Sequence, residues 1–128
     1  MEEKKRPYRI QLKDIHLDEV EISVLDGVEI EVKRIYTIRS KEKPSIRGNH
    51  AHFNQVQLLR LLHGKARLIL TNKAGERFHF DLGKDYIYIP CMHWIELLLE
   101  PESNVLCLAS KEYKDLKSTS NKEEFLTK

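Results

Sequence analysis

Short apolar–polar alternations, each closed by turn residues, constrain the fold of this chain more than any other feature. Phe78, Phe80 and Leu82 alternate with polar neighbours, and the apolar run 86–89 stops at Pro90. Period-two alternation is the mark of half-buried strands. Similar segments recur at 56–62, 66–70, 94–99 and 105–109. Many short strands with frequent turns, and no long helical pattern, predict an all-β sandwich or barrel.

An earlier alternation raises a question about the open end of such a barrel. Val28, Ile30 and Val32 share one face of a predicted strand that begins at Val28. The same face continues to Arg34 and Tyr36. A cation and a phenol that follow an inward apolar face either cover the open end of the barrel or line a cavity, and alternation alone leaves both interpretations open.

The length and charge of the chain set its class. A chain of 128 residues can bury one substantial core, so we expect a single domain over 1–128, with residues 1–7 disordered. A net charge of +2, from 22 basic and 20 acidic residues, is far from the concentrated positive charge of nucleic-acid binders. No segment approaches the ~18 apolar residues of a membrane span. We therefore expect a cytoplasmic protein with neither nucleic acid nor membrane as a partner.

The cysteines and the tail carry weaker information. Cys91 and Cys107 lie far apart and outside any short Cys-x-x-Cys arrangement, so we expect both to be reduced. The alternative, that one of them is a nucleophile, conflicts with the strong tendency of free cysteine to be buried. The tail 111–128 is highly charged and has Phe125 and Leu126 as a late apolar pair. This pattern predicts a short C-terminal helix or arm.

A pair of histidines is the candidate centre of chemistry. His50 and His52 are separated by one residue, so in a strand both imidazoles lie on one side of the sheet while Ala51 lies on the other. Arg47 and Gly48 precede them and add a fixed cation and a flexible backbone position. Imidazole is suited to proton transfer because its ordinary pKa of about 6.5 lies near neutrality.

The histidine segment resembles the first cupin signature, in which His-x-His is followed by an acidic position and then a glycine. His50, His52, Gln57 and Gly64 occupy those places, which implies a jelly-roll β-barrel of the double-stranded β-helix type. The acidic position holds a neutral amide, which compensates the charge of a divalent ion far less than a carboxylate does. We therefore expect no metal and no other cofactor. The alternative metal site would use His50, His52 and His93.

Further elements resemble the dTDP-4-keto-6-deoxyglucose 3,4-ketoisomerases, WxcM-like cupins that act without a metal. The string 47–52 is the most specific of these elements, and together they span roughly residues 30 to 128. They are 33–36, 47–52, Gln57 before Gly64, 88–89, Trp94 with Glu96, 108–110, Tyr113 and 124–126. The resemblance implies an isomerase that moves the ketone of a dTDP-linked 4-keto-6-deoxyhexose from C4 to C3, in deoxysugar and lipopolysaccharide biosynthesis. It also implies a homodimer that exchanges N-terminal strands.

The same resemblance implies roles for individual residues. His50 would be the base that carries a proton between C3 and C4, with His52 and Tyr36 as the other catalytic residues. A cation or phenol would stabilise the enediolate, as expected for Arg47 and Tyr36. The implied substrate-binding residues are Arg34, Arg47, Gln57, Tyr88, Trp94 and Glu96. Trp94 also has an ordinary interpretation as core packing, since it lies on the strand face opposite His93.

Two positions depart from the family pattern. Phe53 stands where the family has a lysine directly after the histidine pair, and the first hairpin, 18–21, lacks an arginine that the family has there. These differences keep open a second hypothesis, a non-catalytic cupin that only binds a nucleotide sugar or another small ligand. A metal-dependent cupin enzyme is the third.

Overall fold

The computed structural model describes residues 6–127, and these residues form antiparallel sheets with one short helix at the end. Residues 113–115 form a single 3-10 turn. The elements are β1 (Tyr8–Ile10), β2 (Lys13–His16), β3 (Glu21–Val24), β4 (Arg34–Arg39), β5 (Ser45–His52), β6 (Gln57–His63), β7 (Ala66–Asn72), β8 (Arg77–Asp81), β9 (Tyr86–Ile89), β10 (His93–Leu99), β11 (Asn104–Ala109), β12 (Ser118–Thr119) and α1 (Lys122–Thr127).

Two five-stranded sheets enclose the core. The first sheet has the order β1-β9-β6-β11-β4, and the second has the order β12-β5-β10-β7-β8. Strands β2 and β3 form a separate hairpin. Apart from the hairpin β7–β8, neighbours in each sheet are far apart in sequence, as in double-sheet jelly rolls. The predicted all-β cupin barrel with a short C-terminal helix is confirmed.

The main core lies between the inner faces of the two sheets. Alternate residues of β4 and of β6 to β11 contribute to it, as period-two geometry requires. Leu68, Leu70, Ile87 and Val105 are fully buried there, and Leu97 is nearly so. Burial of such side chains stabilises a fold by roughly 1.5–3 kcal/mol each. This rigid core holds the strand ends on which the site is built.

A second apolar layer covers the outside of the first sheet. It packs Leu58, Tyr86 and Tyr88 beneath the irregular segment that precedes β4, including Val28 and Ile30. The predicted strand from Val28 is therefore wrong: residues 25–33 are irregular, and β4 begins at Arg34. The alternation arises because these side chains lie on a sheet face, although their backbone does not pair with a strand.

The chain ends agree only partly with expectation. Helix α1 confirms the predicted helical tail, and its Phe125 is fully buried. Residues 1–5 of the segment predicted to be disordered lie outside the described residues, whereas Pro7 is described and buried. Within residues 6–127, neither Cys91 nor Cys107 forms a disulfide. Among residues 6–127, no helix is long and apolar enough to cross a membrane.

Candidate active site

The histidine pair lies at the end of β5, where the strand runs between β10 and β12. His52 is opposite His93 of β10, and His50 is opposite Ile95. Ala51 points the other way and is fully buried with Trp94 and Phe125. The prediction that the two imidazoles share one side of the sheet, with Ala51 on a buried outer face, is confirmed.

The two rings contact each other directly. Nε2 of His50 lies 2.9 Å from Nε2 of His52, and the ring centroids are 4.4 Å apart. In such a contact one nitrogen donates and the other accepts, so the rings adopt complementary protonation states. Burial lowers the pKa of His52 to about 3, and the charges of His50 and Arg34 act in the same direction. His52 is therefore neutral near pH 7.

A β-bulge lies just before the pair. The register between β5 and β10 shifts so that Glu96 is opposite Gly48 and Leu97 is opposite Arg47, which leaves Asn49 as the extra residue. Gly48 and Asn49 have positive φ values of 89° and 53°. Because of this extra residue, Arg47 lies on the same side of the sheet as His50. The Arg47 side chain is exposed.

The histidines open into a pocket of about 430 Å³. Half of its walls come from the barrel and half from the segment between β11 and α1. The barrel residues are Arg34, Tyr36, His50 and His52, and the later residues are Tyr113, Leu116, Ser118 and Ser120. Of the two interpretations left open for Arg34 and Tyr36, the structure supports the cavity.

Arg34 places a positive charge at the pocket. Its guanidinium carbon lies 4.9 Å from the centroid of Tyr36 and 5.6 Å from that of Tyr113, so the cation is held between two aromatic faces. Nη2 of Arg34 donates to Oε1 of Gln55 at 3.3 Å, while Nε of Arg34 is buried and has no hydrogen-bond partner among the described residues. Within residues 6–127, no carboxylate pairs with Arg34. This arrangement provides positive charge for an anionic oxygen.

Tyr36 is a phenol that stays protonated. Its oxygen accepts a hydrogen bond of 2.6 Å from Nε2 of Gln57. Burial raises the pKa of Tyr36 well above its ordinary value, and the adjacent Cys107 acts in the same direction. Burial likewise raises the pKa of the Cys107 thiol to about 12. Tyr36 can therefore donate a proton or a hydrogen bond, and it carries no negative charge near pH 7.

Three of the substrate-binding residues implied by the resemblance lie away from this pocket. Tyr88 belongs to the outer face of the first sheet, where its ring lies 5.1 Å from that of Tyr8. Trp94 packs 6.3 Å from Phe125, centroid to centroid, on the outer face of the second sheet. Glu96 lies 3.6 Å from Nζ of Lys122. Their binding roles stay predictions, and Trp94 takes the packing position that its strand face allowed.

The alternative metal set is not assembled. His93 is opposite His52 in register, but its Nδ1 lies 3.0 Å from the carbonyl oxygen of Cys91 and its ring centroid lies 6.1 Å from that of Phe78. In the part of the chain that the structure describes, no three His, Cys, Asp or Glu side chains come close enough to hold one ion. Burial lowers the pKa of His93.

Sequence reasoning missed several residues of the site. Gln55 is 1% exposed and bonds Arg34, and its even spacing from Gln57 was the signal that could have identified it. Leu116, Ser118 and Ser120 carry no motif, because they reach the pocket only through the pairing of β12 with β5. Tertiary pairing of this kind leaves no local pattern in the sequence.

Phe53 explains one departure from the family pattern. Its side chain packs on the outer cluster of Ala51, Trp94 and Phe125, under α1. The next residue, Asn54, fastens the pocket wall: Nδ2 donates to the carbonyl of Asp115 at 2.8 Å, and Oδ1 accepts from the amide of Lys117 at 2.9 Å. The residues after the histidines thus support the wall of the pocket.

Comparison with known proteins identifies the family to which the chain belongs. Residues 9–128 match the protein family described as FdtA: WxcM-like, C-terminal. The chain belongs to this family. The resemblance inferred from the sequence is confirmed, and the WxcM-like match covers almost all of the described residues. Among curated proteins, no significant match was found.

Solved structures agree with the WxcM-like assignment. A TDP-quinovose 3,4-ketoisomerase from Campylobacter jejuni is 27% identical, with 98% of this chain and all of that one covered and a TM-score of 0.85. A 3,4-ketoisomerase from Helicobacter canadensis is 23% identical over 94% of each chain, with a TM-score of 0.82. A variant of the 3,4-ketoisomerase QdtA from Thermoanaerobacterium thermosaccharolyticum was solved in complex with TDP-4-keto-6-deoxyglucose. It is 22% identical, with 97% of this chain and 94% of that one covered and a TM-score of 0.81. The last two share the fold.

Proposed function

We propose that this protein is a sugar-nucleotide 3,4-ketoisomerase that moves the keto group of a TDP-linked 4-keto-6-deoxyhexose from C4 to C3. The observation that carries the proposal is the contact between His50 and a His52 that is neutral near pH 7, beside the cation Arg34 and the protonated phenol Tyr36. Membership of the WxcM-like family and the names of its structural neighbours give the substrate class.

The reaction needs a base and a stabiliser of negative charge. His50 removes the proton from C3, and the electrons of the C–H bond form a C3–C4 double bond while the C4 oxygen becomes an oxyanion. Arg34 and Tyr36 stabilise that oxygen by charge and by hydrogen bonding. The enediolate then collapses in the other sense: C4 receives the proton from His50, the O3 proton passes to O4, and the ketone stands at C3. The atoms balance without a cofactor.

His52 supports the base and does not compete with it. Its pKa of about 3 makes it a poor proton acceptor from carbon. When His50 becomes an imidazolium, its Nε2–H donates to the lone pair on Nε2 of His52 at the observed 2.9 Å. This hydrogen bond to a charged donor stabilises the protonated base.

Transfer of the ketone is the decisive measurement. The protein is incubated with TDP-4-keto-6-deoxyglucose in deuterated water, and the sugar ring is followed by NMR. We expect a 3-keto product, and we expect His50→Asn to reduce the rate by about 10²–10⁴-fold, the usual contribution of a general base. His79→Asn is the matched control, since His79 is exposed on β8. Binding of the nucleotide sugar without any ketone migration would instead favour a non-catalytic cupin.

We further propose that the protein acts as a cytoplasmic homodimer with exchanged N-terminal strands, in deoxysugar and lipopolysaccharide biosynthesis. The hairpin β2–β3 pairs with neither large sheet. It exposes Ile15, Leu17, Val20 and Ile22, a cluster typical of association surfaces. Light scattering tests the dimer, with an expected mass of about twice 15.1 kDa.

A further inference from the structure

Two buried amides lie behind the pocket and contact the groups that face it. Gln55 and Gln57 are 1% and 3% exposed, and neither belongs to the pocket wall. Each bonds a residue of β4 that does: Gln55 bonds Arg34, and Gln57 bonds Tyr36. Gln55 and Gln57 are two residues apart in sequence, and so are Arg34 and Tyr36. Each amide therefore bonds one of the two pocket groups.

Small side chains on the intervening strand make these contacts feasible. Strand β11 lies between β6 and β4. Ala109 is opposite both Gln57 and Arg34, and Cys107 is opposite Tyr36. Since Ala109 ends at its Cβ, the amide of Gln57 passes over it and reaches the phenol two strands away. A larger side chain at 109 would occupy this space.

The direction of the Gln57 bond controls the phenol proton. An amide nitrogen is a donor only, so the Tyr36 oxygen accepts at 2.6 Å and its own O–H points elsewhere. A carboxylate at position 57, which the cupin signature favours, would accept and would draw the O–H towards itself. The amide therefore does not compete for the phenol proton. That proton remains for a ligand in the pocket or for the Cys107 side chain, with which Tyr36 shares a hydrogen bond.

Neutrality at the other amide controls the charge of the pocket. Oε1 of Gln55 accepts from Arg34, but it carries no formal charge that would offset the cation. Nε of Arg34 and Nε2 of Gln55 are both buried donors without a partner in the described chain. Buried donors are rarely left unpaired. Since both atoms are buried, they influence a ligand through the charge that Arg34 presents to the pocket rather than by direct contact.

We propose that Gln57 is a positioning residue, and Gln55 its counterpart, which keep the Tyr36 hydroxyl and the Arg34 charge directed at the oxygen that becomes negative in the reaction. This inference rests on the proposed ketoisomerase function. It assigns Gln57 a role through Tyr36, in place of the direct substrate contact that the resemblance implies.

The test is Gln57→Glu, which changes the donor into an acceptor with little change in shape. At pH 8 we expect kcat to fall about 10²-fold, the scale of losing one oxyanion donor, with KM changed less than about threefold. As the pH falls towards 5, the ratio of variant to wild-type kcat should rise, because a protonated carboxyl again donates to the phenol. The charged or titratable groups around this position are Arg34 and Tyr36 on β4, Cys107 on β11, and His50 and His52 on β5.

Gln57→Met separates positioning from mere packing. It fills similar space but cannot donate, so its kcat should be low at every pH, with no recovery. A purely structural role would reduce both variants by the same factor across the pH range, and that result would overturn the proposal. Wild-type kcat in Gln57→Glu at pH 8 would also overturn it.

A spectroscopic readout keeps the inference apart from the proposed function. The tyrosine ring doublet in ultraviolet Raman spectra distinguishes an accepting from a donating phenol, and subtraction of Tyr36→Phe isolates this residue. We expect an acceptor in the wild-type protein and a donor in Gln57→Glu at pH 8, whether or not the wild type isomerises the sugar. The same signature in both proteins would contradict the assignment. If the wild type fails to move the ketone, the proposed function fails independently.

Discussion

The two ends of the barrel differ in how fully their buried polar groups are paired. At the end away from the histidines, Ser103 is fully buried, donates to the carbonyl of Lys65 at 2.8 Å and accepts from its amide at 2.9 Å. Its own amide donates to Ser40 at 2.9 Å. We call Ser40 and Ser103 the serine cluster, in which each hydroxyl is bonded.

The pocket end contrasts with the serine cluster. There the described chain leaves four buried atoms without a partner: Nε of Arg34, Nδ1 of His52, Nε2 of Gln55 and Nε2 of His93. Beside the serine cluster it leaves one, Oδ1 of Asn104. An unpaired buried polar group costs roughly 1–3 kcal/mol of stability. The serine cluster therefore serves the fold, whereas the pocket end keeps several unpaired groups around the proposed catalytic residues, at a cost in stability. Variants at the two ends should therefore separate stability from activity.

The largest expected effect is on stability at the serine end. Gly64 has φ +88°, and an added Cβ would lie 2.3 Å from Oγ and 2.6 Å from Cα of Ser103. For Gly64→Ala we expect a loss of about 2–5 kcal/mol in the free energy of unfolding, from backbone strain of ~1–2 kcal/mol and overpacking of ~1–3 kcal/mol. Urea denaturation measures it.

Gly75→Ala is the matched control for that change. Gly75 has φ +84°, but an added Cβ would meet nothing within 4 Å. It should lose only the backbone part, about 1–2 kcal/mol. Equal losses in the two variants would show that contact with the serine cluster contributes nothing.

The next effect is on activity at the pocket end. Arg34→Gln removes the unpaired cation, and we expect kcat/KM to fall about 10²–10³-fold, as for loss of an oxyanion donor. The free energy of unfolding should change by less than about 1 kcal/mol, since a buried unpaired donor is lost together with its hydrogen bond. Arg39→Gln, at the exposed end of the same strand, is the control. A large loss of stability with little loss of activity in Arg34→Gln would show that the pocket end, like the serine cluster, serves the fold.

The smallest effect is a pH dependence that arises at the pocket end alone. His52 has a pKa of about 3 when folded and an ordinary value of 6.5 when unfolded, so the unfolded chain binds the extra proton. Stability is complete above pH 6.5 and decreases as the pH falls towards 3, by about 2 kcal/mol between pH 7 and 5.

Denaturation at the two pH values measures this dependence. His52→Asn should flatten it, although His93, whose pKa is also lowered, contributes in the same direction. The serine cluster has no titratable side chain and should not contribute. An unchanged pH dependence in His52→Asn would place its origin elsewhere.

Much of the barrel could be predicted, because alternation reports which residues share a face. The strand 86–89 and the orientation of His50 and His52 followed from it directly. Alternation does not report which face is inside. All four residues of β9 are buried, since the N-terminal segment covers the outer face of the sheet. The sequence pattern therefore could not show whether Tyr88 faces the inside or the outside of the barrel.

The remaining parts of the site depend on contacts distant in sequence. The wall that carries Leu116 and Ser118 is placed by Asn54 and by pairing of β12 with β5. The lack of a partner for Nε of Arg34 among the described residues depends on neighbours such as Tyr113, which are distant in sequence. Spacing can identify a candidate donor, but it cannot show whether a partner already occupies it.

The bulge at Gly48 and Asn49 makes the backbone conformation here as important as the side chains. Without the bulge, Asn49 would take an ordinary strand position and would invert residues 45–47 relative to the histidines. Arg47 would then change sides with Ile46. Gly48 is equally constrained, because a Cβ there would lie 2.6 Å from the carbonyl oxygen of Ile95. The bulge thus sets which side chains of β5 lie on the histidine side of the sheet.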